Sequence, residues 1–365
     1  MSGSVFGNMF KVSTFGESHG KALGVIVDGC PSGVSLCEED IQKYLNRRKP
    51  GQSNVSTPRK EADEVEILSG VFEGKTTGTP IAMMVRNTSQ KSADYSEIAS
   101  YYRPGHADFT FDAKYGFRDY RGGGRSSGRE TLARVAAGAV ALKVLKELGI
   151  EIFAYTYEIG GITIDEEKFD KDFIMNNELY IPDKDALEKI RNLVIEKKAE
   201  GDSIGGVIKC KVKNLMPGIG EPVFDKLDAN IAKAIMSIGA VKAFEIGNGV
   251  NASKIFGSEN NDNFIYTENG IEKMTNNSGG VLGGISDGDE VYFKAYFKPT
   301  PSIFKEQKTV NKDGENISIN IKGRHDPIIV PRAVVVVEAM TALAILDLVM
   351  LNTCSNIDNL KKVYK

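Results

Sequence analysis

Two periods of apolar residues run along this chain. Leu132, Val135, Ala136, Ala139, Leu142 and Leu145 recur at helical spacing. They predict a helix from Ser127 to about Leu148, ended by Gly149. Its many alanines allow close packing on all sides. Glu38 to Arg48 predicts another helix, with Ile41, Tyr44 and Leu45 on one face. Pro50 and Gly51 stop it, and Arg47, Arg48 and Lys49 suit the negative end of its dipole. Asp183 opens a helix with Leu187, Ile190 and Val194, stopped at Gly201, and Leu227 to Ile238 is a further one. Ala333 to Leu351 is the longest apolar run. Glu338 and Asp347 interrupt it, so it reads as a buried helix rather than a membrane span.

Shorter apolar stretches read as strands: Met9 to Thr14, Gly24 to Asp28, Val65 to Phe72, Pro80 to Val85, Glu151 to Ile164, Gly206 to Leu215, Glu290 to Phe297 and Ile317 to Lys322. Asn87 to Ser100 is polar without period and reads as a loop. Strands and helices do not alternate as βαβ units, which predicts an α+β fold. No repeat and no linker divides the chain.

Composition narrows the function. The 365 residues are 41% apolar and 26% charged, the balance of a soluble globular protein. Net charge is −3, so the whole is not built to coat nucleic acid or an anionic membrane. Cys30, Cys37, Cys210 and Cys354 form no CxxC pair and read as free thiols in a reducing compartment. Met1 to Lys11 lacks the apolar core of a signal peptide, which with the thiols predicts a cytoplasmic protein.

Against that acidic background, Arg118, Arg121, Arg125, Arg129 and Arg134 fall within seventeen residues around Gly122, Gly123 and Gly124. Ser127 and Glu130 have capping-box spacing, so a helix start with open N–H groups is expected beside the arginines. This predicts a cradle for phosphate or carboxylate. His19, His106 and His325 each lie in a Gly- or Pro-punctuated turn with Glu17, Asp108 or Asp326, placed for proton transfer. No HxH or HxxxH spacing supports a metal, and nearby arginines would repel one. No Walker A sequence, nucleophile elbow or dinucleotide fingerprint is present. The residues alone give a multiply anionic, phosphate-bearing ligand and histidine acid–base chemistry. They leave the reaction open, with an RGG-like RNA-binding module and a metal phosphohydrolase as rivals.

FGESHG at 15–20, RPGHAD at 103–108, RGGGRSSGRE at 121–130, GGVLGGISDG at 279–288, KPTPS at 298–302 and GRHDP at 323–327 resemble the signature segments of the chorismate synthases, colinearly over nearly the whole chain. That resemblance implies one chorismate synthase-like domain over 1–365, folded as a β-α-β sandwich with a helical layer between antiparallel sheets and assembled as a homotetramer. It implies 1,4-anti elimination of phosphate from 5-enolpyruvylshikimate 3-phosphate, giving chorismate in the shikimate route to aromatic amino acids. Reduced FMN is the implied cofactor. NADPH enters only indirectly, through flavin reduction, and an external flavin reductase is the expected supplier.

The resemblance also implies roles. His106 would protonate the flavin, His19 would assist phosphate departure, and Asp326 would move the proton, with Ser18 and Ser127 in the relay. Arg48, Arg103, Arg125 and Arg324 would hold substrate. Arg125, Ser126, Ser127, Gly239, Ala240, Gly283, Lys298, Pro299, Thr300, Pro301, Ser302 and Arg324 match FMN-contact positions, and Arg48 also matches an NADP position. Asn54, Gly239 and Gly128 depart from the residues common in the family. Asn54, where some members have a basic residue, weakens an NADP role. Neither a nucleic acid nor a membrane is expected as partner.

Overall fold

The computed structural model describes residues 3–49, 51, 62–87, 97–268, 270–321 and 326–365. Asn54, Arg324 and His325 lie outside them. One five-stranded sheet holds β1 (Val5–Phe6), β2 (Lys11–Gly16), β3 (Ala22–Asp28), β4 (Val65–Ile67) and β5 (Ile81–Arg86), ordered β1-β2-β3-β5-β4. A second holds β6 (Glu151–Ile159), β7 (Ile162–Thr163), β8 (Gly206–Lys213), β9 (Val241–Ile246) and β10 (Val291–Phe297), ordered β9-β10-β8-β6-β7. Every pairing within both is antiparallel. Period-two alternation sets the inner faces: Ile81, Met83 and Val85 on β5, and Val291, Phe293, Ala295 and Phe297 on β10, are all buried.

The helices that matter for the site are α1 (Glu38–Arg48), α2 (Asp108–Tyr115), α3 (Thr131–Glu147), α4 (Lys184–Ala199), α5 (Leu227–Met236) and α6 (Val330–Asn352). α3 packs on the first sheet, α6 on the second, and the two pack on each other. Helices therefore fill the space between the sheets, the α+β sandwich expected. Gly138 makes the helix contact close: a methyl group there would lie 2.3 Å from the Ala339 Cβ. α6 is apolar all round because it is buried all round, as read for Ala333 to Leu351.

The charges inside α6 are satisfied. Glu338 accepts from the Arg47 guanidinium at 2.6 and 3.0 Å and from the Ala154 N–H at 3.0 Å. Asp347 accepts from the N–H groups of Asn8, Met9 and Phe10 at 2.9, 2.6 and 2.9 Å, which pins the approach to β2.

Several elements differ from the sequence expectation. The stretch 65–72 divides into β4 and a separate Val71–Phe72 and Lys75–Thr76 pair. β9 and α2 went unread. Two 3₁₀ turns, Gly124–Ser126 and Gly128–Glu130, precede α3, which starts at Thr131. Ser127 caps the second turn through the Arg129 N–H, while the Glu130 carboxylate turns to Arg134 at 2.9 Å. The capping box is thus replaced by a serine cap and an ion pair one turn along the helix. Gly128 sits in a turn rather than in α3, so its helix-propensity cost does not arise. The apparent Ile317 to Lys322 strand is Asn316–Ile319, paired with Gln307–Val310.

Removing one partner of a buried ion pair strands the other charge. Glu338→Gln is expected to lower the free energy of unfolding by about 3 kcal/mol in urea titration. A loss within about 0.5 kcal/mol, the range of surface substitutions, would contradict the weight given to this contact.

Candidate active site

Residues from five of the six motifs named from the sequence meet in a closed circuit of contacts, and the 279–288 motif stands apart. His19 lies on Gly122, where a methyl group would stand 2.4 Å from the imidazole Nδ1. Gly122 also has φ +80, open to glycine at little cost. Its carbonyl accepts from Arg103 Nη2 at 3.2 Å. The Arg103 carbonyl accepts from the His106 N–H at 3.2 Å, and His106 Nε2 meets the Ser302 hydroxyl at 3.0 Å. In the same 298–302 segment, Thr300 Oγ1 donates to the Asp326 carbonyl at 2.7 Å. The Asp326 carboxylate pairs with Arg332, whose Nε donates to the Arg48 carbonyl at 3.0 Å. Arg48 Nη1 donates to the Gly128 carbonyl at 3.3 Å, which returns to the glycine run.

His106 is held neutral. Burial, then the charge of Arg103, push its pKa down to about 4. Nδ1 faces the Pro104 carbonyl at 3.0 Å, an acceptor, so Nδ1 carries the proton. Nε2 is then bare and accepts from Ser302. The expected partnership with Asp108 does not form. Asp108 is buried and takes a bidentate Arg103 at 2.8 Å and Arg118 at 2.7 Å. Likewise the Ser18 hydroxyl meets His19 Nδ1 at 3.1 Å, Glu17 is exposed, and the carboxylate that feels the His19 charge is Asp119.

The arginine cradle needs the same correction. Arg118 pairs with Asp108 and Asp112, Arg121 with Asp119, Arg129 with Asp63 and Arg134 with Glu130. Burial forces this for Arg118, Arg129 and Arg134, because an enclosed cation needs a counter-charge, whereas Arg121 is exposed and its pair lies at the surface. They are not a solvated array of the kind an RNA-binding run presents. Arg125 differs. Among the described residues it meets no carboxylate, and it donates to Gly16 O, Thr14 Oγ1, Thr14 O and Ser4 Oγ. Lys298 also rests on a carbonyl, that of Gly105 at 3.0 Å. Both keep a net positive charge at the circuit.

Arg48 is fully enclosed. It pairs with Asp63 at 2.9 Å, and burial, then the charge of Arg332, lower its pKa to about 10. Among the described residues its buried Nε has no acceptor. Arg103 spends Nε and Nη2 on Asp108 and Gly122, and among the described residues Nη1 has no hydrogen-bond partner.

Gly239 and Ala240 join the same region: the Ala240 carbonyl accepts from the Lys298 N–H at 3.0 Å. Ala240 has φ +75, a strained conformation for a residue with a Cβ. Gly283 does not join it. It lies in the turn between Val281–Leu282 and Ile285–Ser286, which docks on the start of α5. Lys298 follows the opposite end of β10, roughly 20 Å away at ~3.3 Å per residue.

A cavity of about 970 Å³ is lined by the glycine run, Arg125, Phe111, Phe117 and Lys233. It shares Gly122 with the circuit, and neither His19 nor His106 lines it. Among the described residues no group of three His, Cys, Asp or Glu is arranged to hold a metal ion.

Asp63, Asn87 and Arg332 were missed from the sequence. Asn87 accepts from Arg129 Nε at 2.8 Å and donates to Glu17 O and Gly20 O, fixing the His19 turn. Asp63 and Asn87 stand in polar stretches that carry no signal. Arg332 had one, a lone cation in the first turn of an apolar helix.

The chorismate synthase family profile matches residues 10–350, a range that contains all of these segments. The chain belongs to the chorismate synthase family. It is 66% identical over 365 residues to the chorismate synthase of Lachnospira eligens, covering 100% of both chains. It is 54% identical over 362 residues to that of Aliarcobacter butzleri, covering 99% of both. A crystal structure of chorismate synthase superposes with TM-score 0.74 at 32% identity, covering 98% of this chain and 97% of that one.

Two measurements test this chorismate synthase site in the ligand-free protein. The low pKa of His106 costs stability as pH falls from about 6.5, where the unfolded imidazole takes its proton, towards 4, where the folded one does. The urea midpoint of wild type should therefore fall more steeply over that window than that of His106→Gln. The difference is at most about 3 kcal/mol, and parallel curves would contradict a neutral, buried imidazole. Gly122→Ala should move the His19 ring resonances and cost about 1 kcal/mol or more, since alanine is strained at this φ and collides with the ring. An unmoved His19 signal would rule out the contact.

Proposed function

We propose that this protein is a chorismate synthase that eliminates phosphate from 5-enolpyruvylshikimate 3-phosphate with reduced FMN. The observation that carries the proposal is the circuit linking His19, Gly122, Arg103, His106, Ser302, Asp326 and Arg48. Segments far apart in sequence supply cations and imidazoles around one place, which suits a substrate bearing a phosphate and two carboxylates.

The residues fit a flavin mononucleotide. Lys298 and Arg125 rest on carbonyls and can answer a phosphate. The strained Ala240 turn abuts Lys298. Arg125, Ser126, Ser127, Gly239, Ala240 and Lys298 to Ser302, with Arg324, would hold the group. When bound, reduced FMN supplies electron density to the allylic system as the carbon–oxygen bond breaks. Arg48, Arg103, Arg125 and Arg324 would orient the anionic groups and stabilise charge on the departing phosphate. His19, backed by Ser18, would stand at that phosphate. His106 and Asp326 would hold and move the proton, and Ser127 would hold the turn that places Arg125.

A homotetramer completes this reading. Gly283 reaches a flavin at 298–302 only from a second copy. The hairpin Phe264–Thr267 and Gly270–Lys273 also exposes Phe264, Tyr266 and Ile271, apolar surface that a second copy would cover. A separate reductase would supply reduced FMN in the cytoplasm, with NADPH spent there.

The test is anaerobic phosphate release from the substrate. Wild type with reduced FMN should turn over. His106→Ala should lose about 10²-fold or more, the usual weight of a general acid–base group. Equal release with no flavin, or full activity in the variant, would refute the proposal.

A further inference from the structure

Arg332 stands where a helix does not want it. It lies in the first turn of α6, whose dipole opposes a cation, and no acidic residue occupies that turn. Its contacts lead away from its own helix. Nη1 pairs with the Asp326 carboxylate, and Nε donates to the Arg48 carbonyl at 3.0 Å. Arg48 is the last residue of α1, where helix carbonyls lack intrahelical donors. Both ends of the bridge are sheltered, with side-chain exposure of 27% for Arg332 and 11% for Asp326. Thr300 holds the Asp326 carbonyl from the other side at 2.7 Å. The backbone of Asp326 is thus fixed by the 298–302 segment and its carboxylate by Arg332. A planar guanidinium can do this with directional bonds in two directions, and an ammonium cannot.

We propose that Arg332 is a positioning residue for the elimination: it aims the Asp326 carboxylate and locks it to the end of α1 that carries Arg48. The inference rests on the function proposed above, in which Asp326 handles the proton and Arg48 meets the anionic substrate. It assigns Arg332 no contact with substrate.

The experiment is steady-state kinetics with reduced FMN on wild type, Arg332→Gln, Arg332→Lys, Asp326→Asn and the double variant Arg332→Gln/Asp326→Asn. A carboxylate that is present but misaimed slows the chemical step more than binding. Arg332→Gln should lower kcat about 10-fold or more while KM stays within about threefold. Arg332→Lys keeps a charge for Asp326 but not both bonds, and should recover part of kcat. Once Asp326 is Asn, removing Arg332 should cost little more, because the two act as one unit. Three results would overturn the role: an unchanged kcat in Arg332→Gln, a loss wholly in KM, or losses that multiply in full in the double variant. If Arg332→Gln does not fold, judged by its thermal melt, Arg332→Lys with and without Asp326→Asn gives the same cycle. An inactive wild type would overturn the function itself, whereas an active wild type with an indifferent Arg332 overturns only this role.

Discussion

The buried pair between Arg47 and Glu338 fixes how α1 lies against α6, and the site depends on that register. Glu338 also takes the Ala154 N–H, so the second sheet is tied to both helices. Six residues before Glu338, about 9 Å along the helix, Arg332 takes the Arg48 carbonyl. Two neighbouring arginines of α1 are therefore held by α6, one through its side chain and one through its backbone. Any slip of α1 would strand two charges in the interior, which is why the position of Arg48 is well defined.

The same cost sorts the cations around the glycine run. Arg118, Arg129 and Arg134 are partly or wholly enclosed and found carboxylates. Arg125 and Lys298 found carbonyls instead. A carbonyl satisfies hydrogen-bonding demand without cancelling charge. These two side chains are thus anchored and still positive, the combination an anionic ligand exploits. The buried Nε of Arg48 adds a donor with no acceptor among the described residues.

Long-period features were legible before the fold was known. The helices α1 and α4 follow from an apolar stripe at helical spacing, and α3 and α6 from long apolar runs that are buried nearly all round. α2 did not show, since eight residues headed by Asp108 carry too little pattern. β9 did not show, since Lys242 and Glu245 interrupt it and much of it is exposed. Within the site, the motifs gave residue types but not partners. Asp108 beside His106 in sequence suggested a proton pair. Its side chain turns instead to two buried arginines, whose need for a counter-charge outweighs that of an imidazole able to stay neutral. Bonds such as Thr300 to Asp326 and Arg332 to Arg48 join residues placed by separate elements, and no local spacing announces them.

The neutral state of His106 then has a physical sense. Burial and the Arg103 charge disfavour the imidazolium, so the resting site holds a bare Nε2 beside Ser302. An anion arriving nearby would act against the Arg103 charge. One unit charge at ~4 Å is worth roughly 4 kcal/mol at an effective dielectric of 20. Each ~1.4 kcal/mol moves a pKa by one. A phosphate or carboxylate at twice that distance still supplies roughly 2 kcal/mol, which carries the imidazole from about 4 part-way back towards 6. Ligand binding also deepens burial, which pulls the other way. The balance favours protonation only when the anion lies closer than the added apolar surface can offset. An anion close to His106 would thus raise its proton affinity, from a ligand-free state that burial and then Arg103 hold low.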